Sequence, residues 1–455
     1  MSRSKLVSAT VVTLPALALL ASCQLLIGLD GGQPRGGSGG SGGASSSSNA
    51  ASSSASSSRA ASSSSAASSG TGGSGGLGGA TSSSNSAASS SSAASSSGAG
   101  TGGAMCAPCP TVVLLAGGAP GPNGVLASVF SGTGGATWAS TLLTGTTADG
   151  LSVALIPGTG EAVGLMRATA PANLLQYTIW NGATWSALAS LHGDVTQGEP
   201  AIVAAGNLAH AVYWENASFF YKHETFAGGA WAAMAQPVFP AGATQQPCGP
   251  NPPALAPLVA GASLLFVNGS CGGATNHLYD TDLSGAAWLA SEDVATNPSF
   301  GSALRPAVAA LASGPELVVA YVEQAGTQLW YVARTGGAWS APQAIPSALT
   351  SDPVALAPLP GSGAVLAFRG TNGKLYTSVY ASGAWSAPAG IAVPNVTINA
   401  APALARGIGV AKAELAYADG NGVVFHARLV NATWTAPVQV ATGTGFSRVA
   451  LGSGP

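Results

Sequence analysis

Six positions in this sequence join polar chemistry to a regular place in the chain: Arg167, Glu215, Asn268, Glu323, Arg369 and Asp419. Each follows an apolar run, as in Tyr321-Val322-Glu323 and Tyr417-Ala418-Asp419. Only 7% of the residues are charged, so five ionised groups at one recurring position are a concentration of charge. Arg167, Glu215, Glu323, Arg369 and Asp419 are therefore the candidate ligand-binding residues, because charged donors and acceptors make the stronger hydrogen bonds. A strand end that merely meets water would also be polar, and this is the structural alternative.

Other chemistry has thinner support. Asp280 and Asp282 are spaced to share one face of a strand, and a retaining glycosidase needs two carboxylates roughly 5 Å apart. Neither has a persuasive partner, and Glu292-Asp293 reads as a turn-like pair. The five histidines, His192, His210, His223, His277 and His426, show no metal-ligand spacing. His223 and His277 read as exposed strand residues. Asp419-Gly420-Asn421-Gly422 offers oxygens for calcium, but it is also a good hairpin turn, and the turn is expected. No metal or cofactor is expected. The net charge of −2, without any run of Lys or Arg, excludes phosphate-driven nucleic-acid binding.

The elements that must hold these residues come from a repeat. Trp138, Trp185, Trp231, Trp288, Trp339, Trp385 and Trp434 recur at intervals of 46 to 57 residues, each after a small-residue turn such as NGATW or TGGAW. Each repeat reads as four short strands bounded by Gly, Pro and Asn. The first is small and follows a Pro (PAIVA, PAVAA, PALAR), which suits an innermost position crowded around an axis. The second is wider (ELVVAYV, AELAY), the third carries an aromatic (QLWYV, KLYTS), and the fourth begins at the Trp. No helical period is sustained. Four-stranded units of this length are the signature of a β-propeller. The first repeat lacks its first strand, and Arg448-Val449-Ala450-Leu451 near the C-terminus matches that pattern. The expected fold is all-β: a seven-bladed propeller spanning 106–455, closed by a C-terminal strand that completes blade 1. The six polar positions should then ring one rim, beside the loops that lead into the first strands.

The repeat AFRGTNGKLYTSVYASGAWSAP resembles the blade motif of the bacterial and fungal propeller lectins, including the fucose-binding ones, and the resemblance runs through all seven repeats. It implies sugar sites between adjacent blades, where an Arg, an acidic residue and an aromatic converge on hydroxyl groups and a pyranose face. The polar residue changes type from blade to blade, so only some clefts would bind alike. The turn Ser131-Gly132-Thr133-Gly134-Gly135-Ala136-Thr137-Trp138 resembles the Asp-box of sialidases, with Thr133 where the Asp belongs. The expected function is carbohydrate binding rather than catalysis, with a glycan or envelope polymer as partner. The alternatives are an envelope scaffold for another protein, or a sialidase-like glycoside hydrolase. The repeated Trp is expected to cover the seams between blades and not to bind sugar.

The N-terminus carries a positive start, an apolar stretch from Leu6 to Leu20, and Leu20-Ala21-Ser22-Cys23. The last four residues resemble the lipobox of bacterial lipoproteins. The resemblance implies a signal peptide over 1–22, lipidation of Cys23, and a membrane anchor, with Gln24 favouring the outer membrane or cell surface. Residues 31–104 are almost wholly Ser, Gly and Ala, and 23–105 read as the lipidated N-terminus and a disordered tether whose reach is on the order of 50 Å. Cys106, Cys109, Cys248 and Cys271 remain. An exported chain favours disulfides, and of three possible pairings 106–109 with 248–271 is preferred, the CxxC spacing serving as a clasp rather than a redox pair.

Overall fold

The computed structural model describes residues 112–454, except 119–123, 131–136, 146–147, 170–172, 217, 219, 235, 238–251, 260, 270–275, 295–303, 325 and 392–395. The four cysteines expected to pair, Cys23, and the Ser131 turn up to Ala136 lie outside the described residues. Among the described residues there is no helix. The strands form seven antiparallel sheets, and in six of them the strands run in sequence order from the axis outwards.

Blade 1 is the closing blade. Its innermost strand is Arg448–Ser453, followed outwards by Val112–Gly117, Gly124–Phe130 and Trp138–Thr144. Leu114 faces Leu451, and Val112 faces Ser453, in the register of the closure. Blade 2 runs Ala148–Leu155, Ala162–Ala168, Leu174–Trp180 and Ala189–Val195. Blade 3 runs Ala201–Ala205, Leu208–Glu215, Phe220–Ala227 and Ala230–Ala233. Blades 4 to 7 begin with Ala254–Leu258, Ala307–Ala310, Ala355–Pro358 and Ala403–Arg406. Each innermost strand touches those of the two neighbouring blades, so the ring closes on itself. The expected seven blades, and the closure by the C-terminal strand, are what the structure shows.

The second strands explain why the sequence alternates so little. In Val112–Gly117, Val112, Leu114 and Ala116 pack against blade 7, while Val113 and Leu115 pack against blade 2. Successive side chains point to opposite faces of a sheet, and both faces here are buried. The pattern therefore reads as a continuous apolar run. Seven hydrophobic clusters among the described residues fill the seven seams, one between each pair of neighbouring blades.

Two local devices build the outer edge. In blades 3, 5, 6 and 7 the turn between third and fourth strands has two central residues with positive φ, such as Gly228 and Gly229 at 55° and 83° and Asn431 and Ala432 at 50° and 67°. This is the geometry of a two-residue hairpin turn matched to strand twist, and it selects Gly and Asn. In blades 4 to 7 the outer strand is then broken into two short pieces, both paired to the third strand, such as Ala384–Trp385 and Ala389–Gly390. Pro388 lies in the break and has no N–H to give a ladder. The Ser or Thr after the Trp compensates. The backbone N–H groups of Ile179, Ala333, Val379 and Arg428 donate to the hydroxyls of Ser186, Ser340, Ser386 and Thr435 at 3.0–3.1 Å.

Candidate functional site

The ends of the second strands meet the segments that connect one blade to the next. The N–H of Thr196 donates to Asn173 O in the preceding blade, and Val195 O accepts from Asn216 N in the following one. Ile398 N donates to Gly373 O and Thr397 O accepts from Gly420 N in the same way. These two connectors are thus laced between consecutive strand turns. The polar positions of the sequence lie along this lacing.

They divide by side-chain length. Arg167 and Arg369 reach across to the connector into the next blade: an Arg167 Nη1 donates to the Gln197 carbonyl, and Arg369 Nε donates to the Ile398 carbonyl at 2.7 Å. The acids fold back on their own turns. Glu215 Oε2 accepts from Ser218 N at 2.7 Å, Glu323 Oε2 accepts from Trp330 Nε1 at 3.1 Å, and Asp419 Oδ1 accepts from the N–H groups of Asn421 and Val423 at 2.9 and 2.8 Å. Gly422 N also donates to Asp419 O, so 419–422 is the expected hairpin turn. Asn268 pairs through its backbone with His277.

In blade 6 an Arg meets an acid of the connector, and an aromatic pair packs at the same end of the blade. Arg369 Nη1 donates to Asp352 Oδ2 at 2.8 Å, and both side chains are a little under one-third exposed (29% and 28%). Asp352 stands just before Pro353, where the connector enters blade 6. Tyr376 stacks on Phe368 with centroids 5.7 Å apart, and its hydroxyl accepts from Asn372 Nδ2 at 2.8 Å. Gly370 lets the turn close over this ring: a Cβ there would stand 2.7 Å from Tyr376 Cε2.

The repeated Trp packs on the third strand of the preceding blade. Trp231 lies edge-on to Tyr177, Trp288 to His223, Trp385 to Tyr331, and Trp138 across the closure to His426. Trp434 Nε1 donates to Thr377 Oγ1 at 3.3 Å and Trp339 Nε1 to Glu292 Oε1 at 3.0 Å. The seam role expected for the Trp is the one it plays.

Several sequence expectations are corrected. His223 is buried, not exposed (1%). Trp288 Nε1 donates to His223 Nδ1 at 3.2 Å, so the His223 proton sits on Nε2 and faces His210 Nδ1 at 3.1 Å. Burial lowers the His210 pKa, which suits this neutral chain. Glu292-Asp293 is a short outer strand paired to Tyr279 and Asp280, not a turn. Asp280 and Asp282 do share a face, but the Arg334 guanidinium occupies the space between them. Arg334 Nη1 lies 2.6 Å from Asp280 Oδ2 and Nη2 lies 3.0 Å from Asp282 Oδ2, while Nε reaches Glu316 at 3.3 Å. Burial pushes the Asp280 carboxyl up to about 7, opposed by the Ser263 hydroxyl and Arg334.

Sequence reasoning missed two further seam clusters. Between blades 2 and 3 the Tyr213 hydroxyl contacts Asp194 Oδ2 at 2.5 Å and Glu224 Oε1 at 2.9 Å, with Lys222 on Asp194 and His192 on Glu224. The phenol fills the gap between the two carboxylates, and burial first, then both acids, raise its pKa. Between blades 7 and 1, Glu414 holds His426 and Arg428. Both signals are polar residues in otherwise apolar second or third strands, partnered only through the fold. Among the described residues no three His, Cys, Asp or Glu side chains gather as metal ligands.

No protein-family model matches the chain, and no curated protein matches it. Solved structures with a similar fold include AofleA from Arthrobotrys oligospora, 14% identical, covering 67% of this chain and 89% of that one, with a TM-score of 0.43. The fungal lectin from Aleuria aurantia, described as a six-bladed β-propeller with a fucose recognition mode, is 13% identical over 65% of this chain and 96% of its own, with a TM-score of 0.46. A protein of unknown function from Dyadobacter fermentans is 13% identical over 66% and 94%, with a TM-score of 0.41. The Aleuria lectin has six blades where this chain closes on seven.

Proposed function

We propose that this chain is a lipid-anchored envelope protein whose propeller binds carbohydrate at its rim. The observation that carries the reading is the blade 6 pair: Arg369 and Asp352 at 2.8 Å, both partly open to water, where the connector enters the blade. A guanidinium offers parallel N–H donors and a carboxylate offers acceptors, the complement of vicinal hydroxyl groups. Arg167, Glu215, Glu323 and Asp419 are secondary candidates, since each is held by its own turn or connector. The hydrolytic reading loses its Asp280–Asp282 pair to Arg334. Cys23 supplies the anchor and residues 23–105 the tether, which lets the head search a volume around its point of attachment.

Glycan-array binding by the full chain carrying Cys23→Ser, released from the membrane, tests the rim. The reading requires hits that Arg369→Ala abolishes while the thermal unfolding profile stays intact. An array without hits refutes it. Metabolic labelling with a fatty-acid analogue tests the anchor: label on the wild-type chain should vanish in Cys23→Ser, and a chain that is never labelled removes the lipoprotein reading.

A further inference from the structure

The last residues of the innermost strands enclose a cavity of about 330 Å³ on the propeller axis, and all seven blades contribute to its wall. This end lies away from the rim. In blade 6, Ala355 at the start of the innermost strand faces Ala367, close to Arg369, whereas Pro358 at the end of that strand lines the cavity. Three blades close the wall with proline: Pro157, Pro257 and Pro358. A proline has no N–H, so ring carbons stand there in place of a donor. Leu155, Val308 and Leu451 add aliphatic side chains, and the exposed lining is more apolar than polar.

Arg406 is the one charged side chain in that lining. The other six described arginines each meet a carboxylate or a backbone carbonyl. Among the described residues Arg406 meets neither, and it is exposed. It ends the innermost strand of blade 7, and Ser453 ends that of blade 1. These two strands touch, and among the described residues the Ser453 hydroxyl is also unpartnered. A guanidinium and a hydroxyl, both donors, thus stand on neighbouring strands at one edge of the cavity. Apolar walls strengthen the pull of a charge on an anion relative to bulk water. Donors at one edge alone would leave most hydroxyls of a sugar unpaired against those walls, so the occupant is an amphiphile with one anionic end. The 330 Å³ equals the share of about eleven waters at about 30 Å³ each, room for an unbranched chain of about eight carbons.

We propose that this end of the axis binds a medium-chain fatty acid, with Arg406 and Ser453 donating to the carboxylate and the aliphatic tail lying between the innermost strands. The site shares no residue with the rim pair at Arg369 and Asp352. Octanoate is the probe, titrated calorimetrically into the full chain carrying Cys23→Ser, with hexanoate and D-glucose as comparisons. Each buried CH₂ is worth about fourfold in affinity, so hexanoate should bind about 15-fold more weakly than octanoate. Arg406→Gln should weaken octanoate about tenfold or more, and Ser453→Ala about fivefold, with the thermal unfolding profile intact. Ala310 is half-buried and lines the cavity, so Ala310→Leu should fill space the tail needs and weaken octanoate as well. No saturable octanoate binding, hexanoate or glucose bound as tightly, or unchanged binding in Arg406→Gln, Ser453→Ala or Ala310→Leu overturns the inference. Loss of octanoate binding in Arg369→Ala places the ligand on the rim and overturns it too. Anionic phospholipid vesicles retained through Arg406, with octanoate unbound, make this face a bilayer contact and overturn it likewise. An empty glycan array with octanoate bound leaves this site standing and removes the rim reading alone.

Discussion

Glu414 is the sharpest test of how the ring is held shut. It is fully buried, and its carboxylate accepts from His426 Nε2 at 2.9 Å, from Arg428 Nε and Nη2 at 3.2 Å, and from Ile408 N at 3.4 Å. Those partners face blade 1: Arg428 lies over the Phe130 ring at 5.4 Å and His426 packs edge-on to Trp138 at 5.0 Å. The substitution Glu414→Gln keeps the shape and removes the charge. Breaking a buried ion pair costs about 3–5 kcal/mol. Arg428 keeps 21% of its side chain in water and can recover some hydration, so the low end, about 3 kcal/mol, is expected. Unfolding entropy of about 2.1 cal/mol/K per residue over roughly 340 residues gives about 0.7 kcal/mol/K, so the melting temperature should fall by about 4 °C. Calorimetry on Glu414→Gln, Arg428→Gln and the double variant measures both the cost and the coupling. A fall below about 1 °C, or single effects that add to within about 0.5 kcal/mol, would refute a coupled network at the closure.

Three further outcomes follow from the same geometry. Asp280 has its pKa raised by burial from 3.8 to about 7, so the native state holds a proton that the unfolded chain releases. Its contribution is fully present below pH ~4 and is lost as pH rises through ~7, with an upper bound of about 4 kcal/mol. Melting temperature against pH in the wild type and Asp280→Asn checks this, since the variant should lose that slope. Ser386→Ala removes the acceptor for Val379 N–H and should cost about 1 kcal/mol by urea titration, whereas Ser386→Thr should be neutral because Thr435 does the same work in blade 7. Ala432 is held at a φ of 67°, so Ala432→Gly should stabilise the protein by about 0.5–1 kcal/mol despite the flexibility glycine adds to the unfolded chain.

The blades were legible because Trp138 and its six counterparts do one job seven times, and a repeated job leaves a period. The closure was legible because Arg448–Ser453 needed the same small apolar side chains as every other innermost strand. The seam chemistry was hidden for two reasons. His210 and His223 meet only because the hairpin register sets Thr225, not His223, opposite His210. Arg334 finds Asp280 and Asp282 from the next blade, more than 50 residues away. The approach to the inner strands was half visible: the proline opening five of the seven was read, but Glu199-Pro200 and Arg305-Pro306 carry their charge one residue earlier.

The change of residue type around the rim has a physical cause that the sequence could not supply. Arginine is long enough to reach the connector of the next blade, and what it finds there is a backbone carbonyl, at Gln197 or Ile398, which leaves no mark in the sequence. Asp419 and Glu323 are too short for that span and cap their own turns instead. The positions are thus one ring of scaffolding built with two reaches, and seven equivalent sites are not to be expected from it. Arg369 also meets an aspartate, Asp352, at 2.8 Å, with both side chains partly open to water. Binding at the rim should accordingly saturate near one ligand per chain, and avidity for a surface would come from many tethered heads rather than from many clefts on one head.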